Sequence, residues 1–448
     1  MKIAVIGGAG VRTVIFINGL LRRYKKLNID EVSLFDINKE KLDIIGKLCM
    51  YVVEREKKDL RITLCDTCEG AVAGTDYIVT TLRVGGDHSR VQDERAALNA
   101  GVIGQETTGA GGFSMAARTI PVLLDYCRIF QKYAPDAWIF NFSNPSGLVT
   151  QALTQAGYDK VIGICDAPSA TKFRMAERLG VEEDELYVEF FGLNHLSWIS
   201  SVKKKGKEIL SELVNDEIFL DSMQEFKTMD PEAIRSSKML PNEYLYYYYH
   251  REKALEHILN SENTRGEAIE KINQQMMKEL SGMDINADPE EALQTFLYYM
   301  QVRENSYMSV ESGVSVRPLL EKGKLPIPEG MGYAGVMLDC IEGMQSEEGK
   351  YLVLCIKNQG SLNFLDNDDI VEVTCKVSSR GIEPVKFGKI PLYCENLIRT
   401  VKSYEKCSIE AIVTNDREKV VWALAMNPLV NSWSVARKLE EEFYNARS

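Results

Sequence analysis

The stretch KIAVIGGAG, residues 2–10, runs from a short apolar segment directly into a glycine turn. KIAVI predicts a buried strand, and residues 11–24 follow with the apolar spacing of a helix. Between a strand and a helix, Gly7, Gly8 and Gly10 would let the pyrophosphate of a dinucleotide approach free backbone N–H groups. Because Thr13 stands where G-x-G-x-x-G has its last glycine, the match to that motif is partial.

The next apolar segment, EVSLFD at 31–36, predicts a second strand that ends in Asp36. An acid at this place suits the ribose diol of NAD and repels the additional phosphate of NADP. We therefore predict an NAD site formed by Gly7, Gly8, Gly10 and Asp36.

Strand and helix patterns alternate through the N-terminal part of the chain. Further buried strands are predicted at 76–82, 137–143 and 160–165. This alternation indicates an α/β fold with a doubly wound parallel sheet of the Rossmann type. After residues 187–202 the pattern changes to longer polar helices, with strands at 350–358 and 370–378. We predict an NAD-binding domain at 1–195 and an α+β domain at 196–448 for substrate, metal and oligomer contacts.

Charge and hydropathy exclude several classes of function. The 448 residues include 53 basic and 65 acidic side chains, a net charge of −12. This balance opposes nucleic-acid binding, which needs a basic face, and binding to an anionic membrane surface. The sequence has neither the ~20 apolar residues of a membrane span nor the pattern of a signal peptide at its start. We expect a cytoplasmic protein with no nucleic-acid or membrane partner.

Two potential metal ligands follow predicted strands. Cys165 lies in GICDAPS at 163–169, and His195 lies in GLNH at 192–195. A thiolate and an imidazole could share one metal ion and leave positions open for substrate oxygens. A buried thiol beside an ordinary histidine fits the residues as well, and His195 could also be the proton acceptor of an NAD-dependent hydroxy-acid dehydrogenase.

Five motifs together resemble those of the NAD- and metal-dependent family 4 glycoside hydrolases. They are GVIGQETTGAGG at 101–112, FNFSNPSGLV at 140–149, GICDAP at 163–168, GLNHLSW at 192–198 and LPNEYLYYYY at 240–249. The resemblance covers nearly the whole chain and implies a fold like that of lactate and malate dehydrogenases. It also implies an unusual glycosidase reaction: hydride leaves C3 of the sugar for NAD, a base removes the C2 proton, the aglycone leaves C1, water adds and the hydride returns.

The resemblance assigns roles to individual residues. It implies a divalent metal, manganese by analogy, on Cys165 and His195, where the metal polarises the oxygens at C2 and C3. It implies that Tyr244 is the base, aided by Glu106, and that Asp166 protonates the leaving oxygen. Asp166 could instead cap the helix that begins near Pro168.

The same resemblance implies a phosphorylated sugar as substrate. Arg90, Asn144 and Arg265 match substrate-binding positions, and paired N–H donors of arginine suit a 6-phosphate. The remaining tyrosines, Tyr246 to Tyr249, are expected to pack in the core.

The anomer remains open within this resemblance. Asp166 in Cys-Asp-x-Pro points to a 6-phospho-α-glucosidase, whereas NPSGLVT, GLNHLSW and EYLYYYY look more like the 6-phospho-β-glucosidases. We predict the β activity, with the α activity as the alternative, acting on a phosphorylated disaccharide or glucoside. Members of the family are often dimers or tetramers, so a homodimer or homotetramer is expected.

Overall fold

The computed structural model describes residues 1–305, 319–323, 325–328 and 332–445. The first third of the chain supplies strands β1 (Lys2–Ile6), β2 (Glu31–Phe35), β3 (Arg61–Cys65), β4 (Tyr77–Thr80), β5 (Trp138–Asn141) and β6 (Val161–Gly163). They pair in parallel in the order β3-β2-β1-β4-β5-β6. This is the strand order of a doubly wound dinucleotide-binding sheet, so the predicted fold class is confirmed.

A helix follows each of these parallel strands, and the helices before β6 form the crossover connections between strands. They are α1 (Thr13–Leu20), α2 (Lys39–Arg55), α3 (Cys68–Val72), α4 (Gly86–Asn99), α5 (Gly109–Tyr133), α6 (Ser146–Gln155) and α7 (Ala167–Leu179). Helix α2 begins where Asn38 caps it, because the Asn38 side chain accepts a hydrogen bond from the Lys41 N–H. Because α1, α6 and α7 each follow the carboxyl end of a parallel strand, the turns that enter these helices lie at the same edge of the sheet.

A hairpin follows the parallel strands and carries the second predicted metal ligand. It consists of β7 (Leu186–Leu193) and β8 (Leu196–Lys204), with β9 (Lys207–Glu208) and β10 (Leu240–Pro241) paired to β8. The turn between β7 and β8 is Asn194 and His195. The predicted division at 195/196 falls in this turn and stays a prediction.

Three later strands, β11 (Lys350–Lys357), β12 (Ile370–Ser378) and β13 (Gly381–Pro384), extend the parallel sheet beyond β6. They run antiparallel to one another, and Cys355 of β11 pairs with Gly163 of β6. Within the described residues the sheet thus has nine strands. The sequence predicted the segments at 350–358 and 370–378 as strands, and the structure places them in the same sheet as the nucleotide-type strands.

The remaining helices pack around the hairpin and against the helices that cover the parallel strands. They are α8 (Leu210–Leu213), α9 (Glu217–Ser222), α10 (Gln224–Lys227), α11 (Pro231–Ser237), α12 (Leu245–Tyr249), α13 (Arg251–Asn260), α14 (Arg265–Ser281), α15 (Pro289–Asn305), α16 (Gly332–Met344), α17 (Leu392–Thr414), α18 (Arg417–Met426) and α19 (Trp433–Asn445). One apolar core lies around the sheet, and a second lies between the hairpin and α8–α13.

The tyrosine run of α12 only partly matches the expectation of a core face. Tyr246 and Tyr247 are buried, but Tyr249 is 43% exposed. An α-helix has 3.6 residues per turn, so the side chains of four consecutive residues point in all directions and cannot all face one core. The prediction of burial was therefore wrong for Tyr249. Among the helices that the structure describes, none combines the length and apolar character needed to cross a bilayer.

Candidate active site

The glycine turn between β1 and α1 is held close to the end of β2. The N–H groups of Gly7 and Gly8 both donate to the Phe35 carbonyl, at 2.9 Å. Gly7 has φ +94, and a Cβ there would lie 2.4 Å from the Thr81 carbonyl oxygen, so only glycine fits this close approach. Gly10 continues the turn, since its N–H donates to the Gly7 carbonyl at 3.0 Å.

Asp36 ends β2 beside this turn. One of its carboxylate oxygens accepts the Ala9 N–H at 3.1 Å, and the other accepts the Asn38 N–H at 2.9 Å. The four residues predicted to bind NAD, Gly7, Gly8, Gly10 and Asp36, therefore lie close together at the carboxyl edge of the sheet. The buried Thr13 hydroxyl at the start of α1 has no hydrogen-bond partner within the described chain, which fits a turn that receives a polar ligand.

Cys165 and His195 meet although 30 positions separate them. The Cys165 Sγ lies 3.4 Å from the His195 Nε2, and the two residues are 6% and 4% exposed. Burial lowers the pKa of His195 to about 3, with the charge of Glu106 opposing the shift only in part. Burial also raises the pKa of the Cys165 thiol well above its usual value, with Glu372 and Asp166 adding to the effect. The imidazole is therefore neutral, as a metal ligand must be.

This pair fits a shared divalent cation. Two ligands at metal–sulfur and metal–nitrogen distances of about 2.3 and 2.1 Å lie roughly 3.5 Å apart when they bind one ion. The other ring nitrogen, Nδ1, is buried without a hydrogen-bond partner among the described residues. Within that part of the chain, no group of three or more His, Cys, Asp or Glu side chains could hold a metal. An ion at the pair would therefore keep positions open for other oxygens.

Tyr244 lies directly on the His195 ring. The ring centroids are 3.7 Å apart and the planes differ by 8°. Tyr244 precedes α12, where its N–H donates to the Asn242 side chain at 2.9 Å, and the Asn242 N–H donates to the Ser197 carbonyl on β8. The hairpin thus holds both the imidazole and the phenol.

Glu106, on the loop between α4 and α5, contacts two arginines. Its Oε2 is 2.7 Å from Arg83 Nη1 and 3.1 Å from Arg90 Nη1. Burial alone would raise the pKa of Glu106, but the positive charges of Arg83 and Arg90 outweigh it and hold the pKa well below its usual range. Glu106 is therefore a carboxylate whose charge is locally balanced.

Asp166 follows Cys165 and binds a residue of the glycine turn. Its Oδ2 accepts a hydrogen bond from Arg12 Nη1 at 2.9 Å, and Arg12 also lies 3.5 Å from Glu304. Asp166 occupies the position before α7, but its side chain makes no capping hydrogen bond there. The capping alternative is therefore not supported, and the Asp166 carboxylate faces Arg12 instead.

The predicted substrate residues occupy three different segments. Arg90 Nε donates to Glu94 Oε1 at 2.7 Å, and Glu94 Oε2 accepts the Gly266 N–H at 2.7 Å, next to Arg265. Glu94 therefore links Arg90 to the start of α14. Asn144 lies after β5, where a cis peptide bond joins it to Pro145.

Sequence reasoning missed several residues of this site. Burial and the nearby charges of Arg12 and Arg83 lower the pKa of Arg303 to about 10. Arg303 also acts on the charge of Glu106, so it adds to the positive charge around that carboxylate. Glu94 stands four residues after Arg90 on α4, a spacing that places the two on one helix face and could have drawn attention to Glu94. Arg83 stands seven residues before Arg90, ahead of the helix. Arg12 and Arg303 carry no local signal.

The fold and the site together define a dinucleotide-fold enzyme with a buried thiol–imidazole pair and an arginine-rich edge. The model described as family 4 glycosyl hydrolase matches residues 2–181, and that of the family's C-terminal domain matches residues 190–430. The chain belongs to the family 4 glycosyl hydrolases and is therefore a glycosidase.

Relatives and solved structures agree with this assignment. A Bacillus subtilis protein named "Probable 6-phospho-beta-glucosidase" is 31% identical over 100% of this chain and 96% of its own length. A 6-phospho-alpha-glucosidase of Leptotrichia buccalis is 27% identical over 99% and 97%. The 6-phospho-beta glucosidase of Thermotoga maritima, solved with manganese, NAD+ and glucose-6-phosphate, superposes with a TM-score of 0.83 at 30% identity, over 100% of this chain and 98% of its own.

The predicted likeness to dehydrogenases is confirmed at the level of the fold. Malate dehydrogenase from Plasmodium falciparum superposes with a TM-score of 0.54 at 12% identity, over 92% of this chain and 99% of its own. At that identity the likeness concerns the fold alone.

Proposed function

We propose that the protein hydrolyses 6-phospho-glucosides, with the β anomer preferred, by the redox elimination of its family. The observation that carries the proposal is the contact of Cys165 with His195, with Tyr244 stacked on the imidazole, at the carboxyl edge that also holds the glycine turn. Relatives that span the whole chain are named for 6-phospho-glucosidase activity, and both anomers occur among them.

The residues present suit both cofactors. NAD, when bound along Gly7, Gly8, Gly10 and Asp36, supplies the acceptor that takes hydride from C3 and returns it. A divalent metal, manganese by analogy with the Thermotoga maritima enzyme, supplies a Lewis acid when bound by Cys165 and His195.

Protein side chains carry the proton transfers in this proposal. Tyr244 takes the C2 proton. Its phenol ring stacks on His195, which places the residue next to the proposed metal ligand. Glu106, with its charge balanced by Arg83 and Arg90, lies close enough to influence the pKa of His195. Asp166 delivers a proton to the glycosidic oxygen, with Arg12 orienting its carboxyl group through the hydrogen bond to Oδ2.

Arginines recognise the phosphate in this proposal. Arg90 and Arg265 are joined through Glu94 and Gly266, and Arg303 adds positive charge near Arg83. Burial lowers the pKa of Arg303 most, and repulsion from Arg12 and Arg83 adds to the shift; a phosphate dianion would relieve that repulsion. Asn144, at the end of β5, completes the predicted sugar contacts.

The test is hydrolysis of p-nitrophenyl 6-phospho-α- and 6-phospho-β-glucosides by the full-length protein with NAD, Mn²⁺ and a thiol, each omitted in turn. We expect nitrophenol from the β anomer, loss of activity without NAD or metal, and none with the unphosphorylated glucosides. Release from the α anomer alone would favour the alternative activity. Steady net NADH production from a hydroxy acid, with no nitrophenol released, would favour a dehydrogenase.

We also propose that the chain works as a cytoplasmic homodimer or homotetramer. Apolar side chains lie exposed on the last helices, including Leu392, Trp422 and Trp433 at 69%, 56% and 45%. The rings of Trp422 and Trp433 contact each other, with centroids 4.7 Å apart, and such an exposed aromatic pair suits a subunit interface. Light scattering coupled to gel filtration tests this, and a monomer at micromolar concentration would contradict it.

A further inference from the structure

A buried carboxylate from the far part of the sheet reaches the turn that carries His195. Glu372 of β12 is 1% exposed. Its Oε1 accepts a hydrogen bond from Asn194 Nδ2 at 2.9 Å, and its Oε2 accepts one from Ser197 Oγ at 3.3 Å. The two donors flank His195 in the sequence, so one carboxylate binds the turn on both sides of the imidazole.

The same carboxylate also contacts the strand next to Cys165. The Cys355 Sγ lies 3.7 Å from Glu372 Oε1, and Cys355 pairs with Gly163, two residues before Cys165. Glu372 therefore contacts the hairpin that supplies the imidazole and, through Cys355, the strand that pairs with β6 just before Cys165.

His195 needs an external support of this kind. Ligating histidines are usually oriented by a hydrogen bond from the second ring nitrogen, but Nδ1 of His195 has none among the described residues. His195 also has φ +60, a conformation that costs a residue other than glycine about 1 kcal/mol or more. The orientation of the ring thus depends on the turn and on the stacked Tyr244.

The energetics of Glu372 fit a positional role. Burial raises the pKa of Glu372 to about 7, although its bonds with Asn194, Ser197 and Cys355 oppose the shift. A carboxyl group in an apolar core costs stability unless its hydrogen bonds are satisfied. Here those bonds converge on the hairpin turn.

We propose that Glu372 is a positioning residue for the metal pair: its two hydrogen bonds hold the Asn194–His195 turn so that the imidazole faces the Cys165 thiol. This inference rests on the proposed function, since it takes Cys165 and His195 as the ligands.

The test measures binding of Co²⁺ to the full-length, metal-free protein by the near-ultraviolet thiolate-to-cobalt absorption band. The wild type should show the band, and Cys165→Ser should lack it. Glu372→Ala should weaken Co²⁺ binding by roughly tenfold or more and reduce the band at saturation, as expected when a residue that orients a ligand is lost. Glu372→Gln keeps an acceptor for Asn194 and a partner for Ser197, so its affinity should stay within about threefold of the wild type.

Thr374→Val is the matched control. Thr374 lies on the same strand, is buried, and accepts the Phe190 N–H of the same hairpin at 2.9 Å, away from the turn. Its substitution should leave the cobalt affinity within about threefold. Asn194→Ala provides a second route if Glu372→Ala does not fold. It should weaken binding comparably, and the double variant should be little worse than either single one.

The outcomes distinguish the metal pair of Cys165 and His195 from the positioning role of Glu372. No band in the wild type would overturn the proposed metal pair and the role of Glu372 together. A band in the wild type with equal affinities for Glu372→Ala and Thr374→Val would overturn the positioning role alone. A loss in Glu372→Gln as large as that in Glu372→Ala would also overturn it, because charge rather than hydrogen bonding would then be responsible.

Discussion

The phenol ring of Tyr244 lies parallel to the imidazole ring of His195, with 3.7 Å between centroids and 8° between planes. Both side chains are at least nine-tenths buried, so each ring shields the other from solvent. This contact joins a predicted base to a predicted metal ligand. The ring of Tyr244 supports the imidazole, whereas the hydroxyl group would carry the proton, so the two roles can be tested separately.

Tyr244→Phe removes the hydroxyl and keeps the stacked ring. We expect turnover to fall by about 10²–10⁴, the usual contribution of a general base, with Co²⁺ affinity and thermal stability close to the wild type. Steady-state hydrolysis and cobalt titration measure the two quantities. Tyr246→Phe, in the same buried run, is the control and should keep most activity. Equal losses in the two variants would remove Tyr244 from the role of base.

Arg12→Met breaks the contact between the glycine turn and Asp166. We expect kcat to fall about tenfold, because Asp166 loses the partner that orients it. The loss should be larger for a methyl than for a p-nitrophenyl 6-phospho-glucoside, since a poor leaving group depends more on the proton. Arg12→Lys keeps the charge and one donor, and it should lose less. A loss that is the same for both leaving groups would contradict an acid role for Asp166.

Glu94→Gln disrupts the support of Arg90. The amide can still accept the Gly266 N–H, but its NH2 group would face Arg90 Nε, a second donor. We expect KM for the phosphorylated substrate to rise about tenfold with a smaller change in kcat, because a bond to a charged group is worth roughly 1.5–3 kcal/mol. Initial rates across a substrate series measure both.

The control for Glu94 is Arg95→Gln. Arg95 joins the same two helices through an exposed bidentate pair with Glu267, at 2.7 and 2.6 Å. Exposed pairs contribute about 0–1 kcal/mol, so KM should hardly change. A rise in KM as large as that of Glu94→Gln would indicate that helix packing, and not Arg90, is responsible.

Glu372→Gln should change how stability depends on pH. Burial raises the folded-state pKa of Glu372 to about 7, so the folded protein binds the proton more tightly than the unfolded chain does. The stabilisation that this proton gives the folded protein is complete below the pKa of the unfolded chain, about 4.5, and is lost as pH rises through the folded-state pKa of about 7. Relative to Glu372→Gln, the metal-free wild type should therefore lose up to roughly 3 kcal/mol of unfolding free energy between pH 4.5 and 8.

Urea denaturation midpoints with EDTA at several pH values test this dependence. Glu440→Gln serves as the control, because Glu440 is as buried but pairs with Arg417 between the last two helices, α18 and α19. A difference between wild type and Glu372→Gln that does not vary with pH would show that the carboxyl titrates normally.

The sequence was sufficient for five of the six parallel strands and for the glycine turn, because buried strands are continuous apolar runs and a close turn needs glycine. It also predicted that Cys165 and His195 could share an ion, since both follow strands. It could not place Arg12 against Asp166, 154 positions away, or Glu372 against Asn194, 178 positions away. Strand β3 was not predicted, because its residues are mostly half-buried and the segment is therefore less apolar than a fully buried strand.

The pairing of β11 with β6 has a consequence for how the chain is made. When residues 1–195 leave the ribosome, β6 has no neighbour on its outer side, and its free edge stays open to wrong partners until residues 350–384 are synthesised. Cys165 follows the C-terminal end of β6 by two residues. The thiol therefore reaches its native surroundings late in synthesis, and a gene split after the hairpin would yield two pieces that aggregate more readily than they bind metal.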